Sequence, residues 1–263
     1  MQSGDFAEEA TRIAKLAQER GIELRIMGAC AVRVHCPKYR YLSDQLGRKL
    51  TDIDFMSYGK YMPKTESFFQ EIGYKPRSFF SYQWGREAYK RQFFDDPANR
   101  MHIDVFFDEL EMSHKIKFKS RLELDFPTIT LADLILEKMQ IVRINEKDIK
   151  DVIVLVREHP VVEKEDKEGI DAKYIAKLLS DDWGFYYTVT TNLGRVRDFL
   201  KQYEALSDED RKHNDSEVSK LIDAIEREPK SMGWRMRAKV GTKKKWYTDV
   251  DEAVLPASSE GRE

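Results

Sequence analysis

The heptapeptide Leu50-Thr51-Asp52-Ile53-Asp54-Phe55-Met56 sets two carboxylates one residue apart inside an apolar run. Strand interiors are poor in Asp, so the pair invites a chemical reading. If residues 51–56 form a strand, side chains alternate faces with period two. Ile53 and Phe55 then turn to the core, while Asp52 and Asp54 share the opposite face. Two carboxylates a few ångströms apart repel and raise one another's pKa. A divalent cation beside them removes that penalty. Mg²⁺ takes hard oxygen ligands from one or two carboxylates and completes its shell with substrate phosphates. The plainer alternative is a solvated pair at a strand end, or an Asp capping the next turn.

A second isolated acid, Asp104, lies in the strand-like run MHIDVFF, with Ile103 and Val105 on the other face. A strand beside the first would bring Asp104 next to Asp52 and Asp54, and three convergent carboxylates suit a two-metal site. Upstream, the strand pattern of residues 22–27 ends in Gly28-Ala29 and a helical pattern follows. Glycine at a strand-to-helix turn lets the backbone approach a phosphate, and the helix N-terminus favours the negative charge. Alone, Gly28 reads as an ordinary turn glycine.

These residues need elements to position them. Residues 6–20 repeat apolar positions at helical spacing and stop at Gly21, and residues 22–26 alternate as a half-buried strand does. A short helix is expected over residues 29–34, a polar loop over 36–49 and a helix over 64–71. The runs 92–94, 102–107 and 115–118 read as strands. From Pro127 the spacing is helical, through Leu131, Leu134, Ile135, Ile149, Val152 and Val156 to Val196 and Leu221. The fold class expected is therefore α+β, an α/β half followed by a helical C-terminal half. The divisions fall at 1–126, 127–229 and 230–263, and the tail from Glu252 is expected to fray.

The order strand–glycine–helix, paired acids, third strand acid resembles the nucleotidyltransferase superfamily, whose fold is that of DNA polymerase β. The family pattern is hG[GS], then [DE]h[DE]h, then h[DE]h. Here it is matched by Met27-Gly28-Ala29, Asp52-Ile53-Asp54-Phe55 and Ile103-Asp104-Val105. The segment LADLILEKMQIVRINEKDIKDVIVLV, residues 131–156, is similar to the helical part of bacterial and archaeal members of the abortive-infection type. Those carry a Lys on one helix and a KDxxD-like start on the next. The resemblance spans roughly residues 20–157.

It implies that Asp52 and Asp54 hold Mg²⁺ or Mn²⁺ on the phosphates of an NTP. Asp104 would complete the metal set and help activate an acceptor hydroxyl. Gly28, Ala29 and Lys138 would contact the nucleotide. The implied reaction moves an NMP to a hydroxyl of a protein, an RNA end or a small molecule, with a toxin–antitoxin setting favoured. Two departures stand out. Ala29 replaces the family's second Gly/Ser, and the CPKYRYLSDQLGRK loop lengthens the gap from Gly28 to Asp52. They sustain an alternative of another class, a catalytically impaired nucleotide- or RNA-binding module with a regulatory role.

Other candidates have plainer readings beside them. Lys138, at the edge of an apolar stripe, either reaches inward to a triphosphate or snorkels to solvent. Asp148, three residues after Asn145, fits a helix cap, and Asp151 fits a salt bridge. Arg48 and Lys49 could touch phosphate or simply be solvated. His102 invites a general-base role, set aside on the expectation that it faces away from Asp104. The stretch DDWGFYYT, residues 181–188, reads as core or a pocket wall. Residues 230–248 hold seven Lys/Arg, no acid, and Trp234, Trp246 and Tyr247. They suit an RNA contact or, more plainly, a two-stranded hairpin with buried Trp.

Composition excludes several classes. With 41% apolar residues the chain can build a core, and a net charge of −2 rules out an all-round basic coat. Cys30 and Cys36 are the two cysteines and form no CxxC pair, so neither a disulfide framework nor a structural zinc site is expected. The first dozen residues lack the apolar stretch of a signal peptide, and no run reaches the ~18 residues of a membrane span. A cytoplasmic protein is expected.

Overall fold

The computed structural model describes residues 4–77, 91–98, 100–164 and 166–250. Helix α1 (Gly4–Glu19) buries Ala10, Ile13, Ala14 and Ala17, a stripe at helical spacing. Strand β1 (Leu24–Met27) follows and runs directly into α2 (Gly28–His35). The loop expected over residues 36–49 contains a short helix, α3 (Arg40–Gln45), because Leu42 is buried and Asp44 pairs with Arg33 at 2.9 Å. Strand β2 (Ile53–Ser57) leads to α4 (Met62–Glu71) and the two-residue β3 (Lys75–Pro76). Strands β4 (Arg91–Asp95) and β5 (His102–Phe107) complete a five-stranded sheet of order β1-β2-β5-β4-β3. β2 and β5 run parallel, and every other neighbouring pair is antiparallel. A parallel pair needs a long crossover, here residues 58–101. A small hairpin, β6 (Glu109–Glu111) with β7 (Lys115–Lys117), follows.

β1 departs from the half-buried strand expected of its alternation, since all four residues are buried. Arg25 is covered by residues 125–126: its Nε donates to the Asp125 carbonyl at 2.7 Å and its guanidinium lies over the Phe126 ring. The β1 edge is covered too. Ile26 donates to the Pro127 carbonyl and accepts from the Ile129 amide, both at 2.9 Å, which removes an exposed strand edge.

Beyond Pro127 come α5 (Leu131–Met139), α6 (Glu146–Glu158), a short parallel pair β8 (Val161–Val162) and β9 (Ile170–Asp171), then α7 (Ala172–Leu179), α8 (Trp183–Leu200), α9 (Asp208–Arg227) and α10 (Met232–Val240). Their starts are written in the sequence. Thr130, Asn145, Asp171, Asp182, Ser207 and Ser231 each cap a helix by accepting the N3 backbone N–H. In place of the hairpin expected over residues 230–248, residues 232–240 form a helix. Arg, Met, Ala and Lys are good helix formers, and Ser231 starts the turn.

The apolar core runs unbroken through Pro127, joining Ile26, Phe55 and Val105 of the sheet to Leu134, Val152, Leu193 and Leu221 of the helices. No helix among the described residues is long and apolar enough to cross a membrane. The fraying expected from Glu252 lies outside the described residues.

Phe69 of α4 is fully buried, stacked on Phe94 of β4 at a centroid distance of 4.3 Å. Phe69→Ala should destabilise the fold by about 3–5 kcal/mol in urea titrations, and Phe69→Leu by much less. A loss below about 1 kcal/mol would show that this side of the sheet closes over the cavity.

Candidate active site

The register of the central strands sets the site. Asp54 on β2 lies directly across from Asp104 on β5, and on its other side from Met27, the last residue of β1. Asp52 precedes β2 by one residue and, like Asp54, is only partly buried, while Ile53 and Phe55 are fully buried. Period two thus gives the acids one face and the apolar pair the other.

Gly28 closes the third side. It has φ 67°, a conformation that costs other residues energy. A Cβ there would come within 2.6 Å of Asp54 Oδ2. Glycine is therefore required twice, by the backbone turn and by the carboxylate beside it. Gly28 also opens α2, whose N-cap Met27 supplies no side-chain hydrogen bond and whose first turn holds no acid. Ala29 is partly buried against the core.

Burial pushes the Asp54 carboxyl well above the usual carboxylate range, and Asp52, Asp104 and Glu137 push it the same way. Asp104 is also raised by burial, with the Arg91 guanidinium working against the shift. Arg91 of β4 donates to Asp104 Oδ2 and lies over the Phe93 and Phe106 rings. Among the described residues, no three Asp, Glu, His or Cys side chains are gathered into a preformed metal cage. The convergence expected from the sequence is one of backbone register, since Asp104 turns its carboxylate to Arg91. The donor set still fits a hard divalent cation: it is all carboxylate oxygen, and its mutual repulsion is what such a cation relieves.

Lys138 neither snorkels to solvent nor stands free for a triphosphate. It is buried, and its ammonium meets Asp151 at 3.1 Å, Asp148 at 3.4 Å and Glu137 at 3.6 Å. Burial lowers its pKa, but these acids outweigh it and leave the group well above the ordinary lysine value. Asp151 is the salt-bridge partner expected, and it also takes a bidentate pair from Arg48 at 2.8 and 3.1 Å. Asp148 donates its amide to the Asn145 cap, as the spacing predicts. Lys49 is exposed. His102 corrects the sequence reading: two residues from Asp104, it starts on the same face, and its ring is taken up by Asp95 at 2.6 Å.

Two site residues escaped the sequence reading. Arg91 gave no signal, because its partner is made by strand pairing. Glu137 did give one: it is a charge in the apolar helix LADLILEKM, and its Oε2 accepts the Gly28 N–H at 3.1 Å. Away from this site, the 181–188 stretch is core as expected, with Trp183 and Phe185 buried. Trp234 packs edge-on against Tyr186, and Trp246 against Trp183 and Tyr187.

No protein-family model and no curated protein matches the sequence. Solved structures similar to it include the following three. One is the lincosamide antibiotic adenylyltransferase LnuA with lincomycin bound, at 15% identity over 56% of this chain and 94% of that one, with a TM-score of 0.36. The antibiotic-resistance factor ANT(2'')-Ia matches at 13% identity over 86% and 97%, TM-score 0.34. An antigenic nucleotidyltransferase-like protein from Paracoccidioides brasiliensis matches at 13% identity over 87% and 95%, TM-score 0.40.

Because its folded-state pKa is raised, Asp54 stabilises the fold fully only below its unfolded pKa, and that contribution is lost as pH rises through the folded value. Asp54→Asn should therefore melt above wild type near pH 7.5 in EDTA, by about 2–4 °C per kcal/mol relieved. The gap should close toward about pH 4, the ordinary Asp range. Equal melting temperatures at both pH values would refute the buried-charge account.

Proposed function

We propose that this protein is a metal-dependent nucleotidyltransferase that moves an NMP from an NTP to a hydroxyl acceptor. The observation that carries the reading is the Asp54–Asp104 register with Gly28 packed against Asp54 at the β1–α2 turn. Asp52, Asp54 and Asp104 would hold Mg²⁺ or Mn²⁺, which when bound neutralises phosphate charge and polarises the reacting phosphorus. The Gly28 N–H at the start of α2 favours a phosphate oxygen. The acceptor oxygen bonds to the α-phosphorus as the bond to the β-phosphate oxygen breaks and pyrophosphate leaves, and the hydroxyl proton passes to the Asp104 carboxylate. Nucleotidyl transfer asks mainly for alignment and charge stabilisation. The acceptor is a protein side chain, an RNA end or a small molecule, and a toxin role belongs to the same proposal.

A second reading, nucleotide or RNA binding without turnover, is favoured by the Asp104–Arg91 pair. One experiment separates the two. The protein is incubated with each α-³²P-labelled NTP, Mg²⁺ or Mn²⁺ and cell extract. Label should transfer to a discrete acceptor, and Asp52→Ala and Asp54→Ala should each reduce it on the order of 10²–10³-fold or more. Nucleotide binding with no transfer would favour the binding module.

The basic segment 230–248 retains an electrostatic case for RNA. Arg235, Lys239, Lys243 and Lys244 are exposed and form no ion pair among the described residues. The stacking half of that case falls away, because Trp234 and Trp246 are spent on α8. Replacing these four cations by Ala should weaken single-stranded RNA binding and flatten its log–log salt slope by about 0.7 for each phosphate no longer neutralised. An unchanged slope would end the RNA role of this surface.

A further inference from the structure

The N-terminus of α2 is served from a distant part of the chain. With no cap from Met27, the Gly28 N–H donates to Glu137 of α5 at 3.1 Å, across 109 residues of sequence. That carboxylate stands in unfavourable company. Asp54 lies against the same glycine, and Asp148 and Asp151 surround the neighbouring Lys138. Burial raises Glu137, Lys138 and the Gly28 N–H work against the shift, and Asp148 and Asp151 reinforce it. An ordinary cap for α2 would sit at position 27, where Ser, Thr or Asn satisfies a helix N-terminus without a buried charge. An anion held at a helix N-terminus beside acids instead mimics what that N-terminus binds.

We propose that the Glu137 carboxylate is a built-in competitor of the nucleotide: it holds the Gly28 N–H where a phosphate oxygen binds, and nucleotide entry displaces it onto Lys138. This rests on the nucleotide reading of the site. Lys138 Nζ already lies 3.6 Å from the other oxygen, Oε1, so the displaced carboxylate has a cation beside it. The Glu137 side chain is 11% exposed. Glu137 is thus a positioning residue that sets nucleotide affinity through Gly28.

The test is calorimetric binding of the four α,β-methylene nucleoside triphosphates with Mg²⁺ to wild type, Glu137→Ala and Glu137→Gln, beside thermal melts of each. For the tightest-binding nucleotide, Glu137→Ala should bind about tenfold tighter than wild type, even if its melting temperature falls. Glu137→Gln, which removes the charge but keeps an acceptor, should lie between, and it decides the matter if Glu137→Ala fails to fold. Binding to Glu137→Ala alone would also support the competitor. A purely structural cap predicts a lower melting temperature with equal or weaker binding, and that result overturns the proposal while leaving the nucleotide reading intact. If wild type and both variants bind no nucleotide, the nucleotide reading falls and the competitor with it.

Discussion

Everything around this site answers one constraint: two parallel strands place Asp54 and Asp104 side by side in the interior of a sheet. Like charges at that spacing, partly withdrawn from water, oppose each other's ionisation. The surrounding residues manage the conflict in different ways. Gly28 leaves the Asp54 carboxylate the room that any side chain would fill. Arg91 takes Asp104 and itself lies over the Phe93 and Phe106 rings. Charge left uncompensated at Asp54 is the feature a hard cation and a polyphosphate can exploit.

A second set of charges ties the helical half to that turn. Arg48 precedes the acid pair and grips Asp151 of α6. Asp151 also holds Lys138 of α5, and Lys138 neighbours Glu137, whose carboxylate meets Gly28. Buried ion pairs of this kind add little net stability, but breaking one partner leaves an uncompensated charge. Their value here is positional, because each link fixes a helix or loop relative to the β1–α2 turn. The Lys and KDxxD-like spacing in residues 138–151 thereby acquires a physical role: it anchors α5 and α6 to the start of β2.

The C-terminal segment shows how one composition can serve another purpose. Its tryptophans look suited to stacking on bases, yet they dock α10 and the segment after it onto α8. Arg237 joins them, lying over the Trp183 ring and donating to the Gly241 and Lys244 carbonyls. Only the outward cations stay available to a partner.

The sequence alone determined the local features, because each depends on near neighbours. Period two put Asp52 and Asp54 on one face, helical spacing placed α1, α5 and α6, and Asn145 marked a helix start through a side chain three residues from its partner. It also isolated Asp104 as an acid out of keeping with its apolar run, and placed Gly28 at a strand-to-helix turn. Tertiary structure decided what depends on distant pairing. Strand register set Asp54 against Asp104 and gave Asp104 to Arg91. The packing of α5 on α2 gave the Gly28 amide to Glu137 and enclosed Lys138 among acids. The burial of β1 was decided the same way, because covering by remote segments overrides the alternation of a short stretch, whereas the helix of residues 232–240 follows from its helix-forming residues and the Ser231 cap.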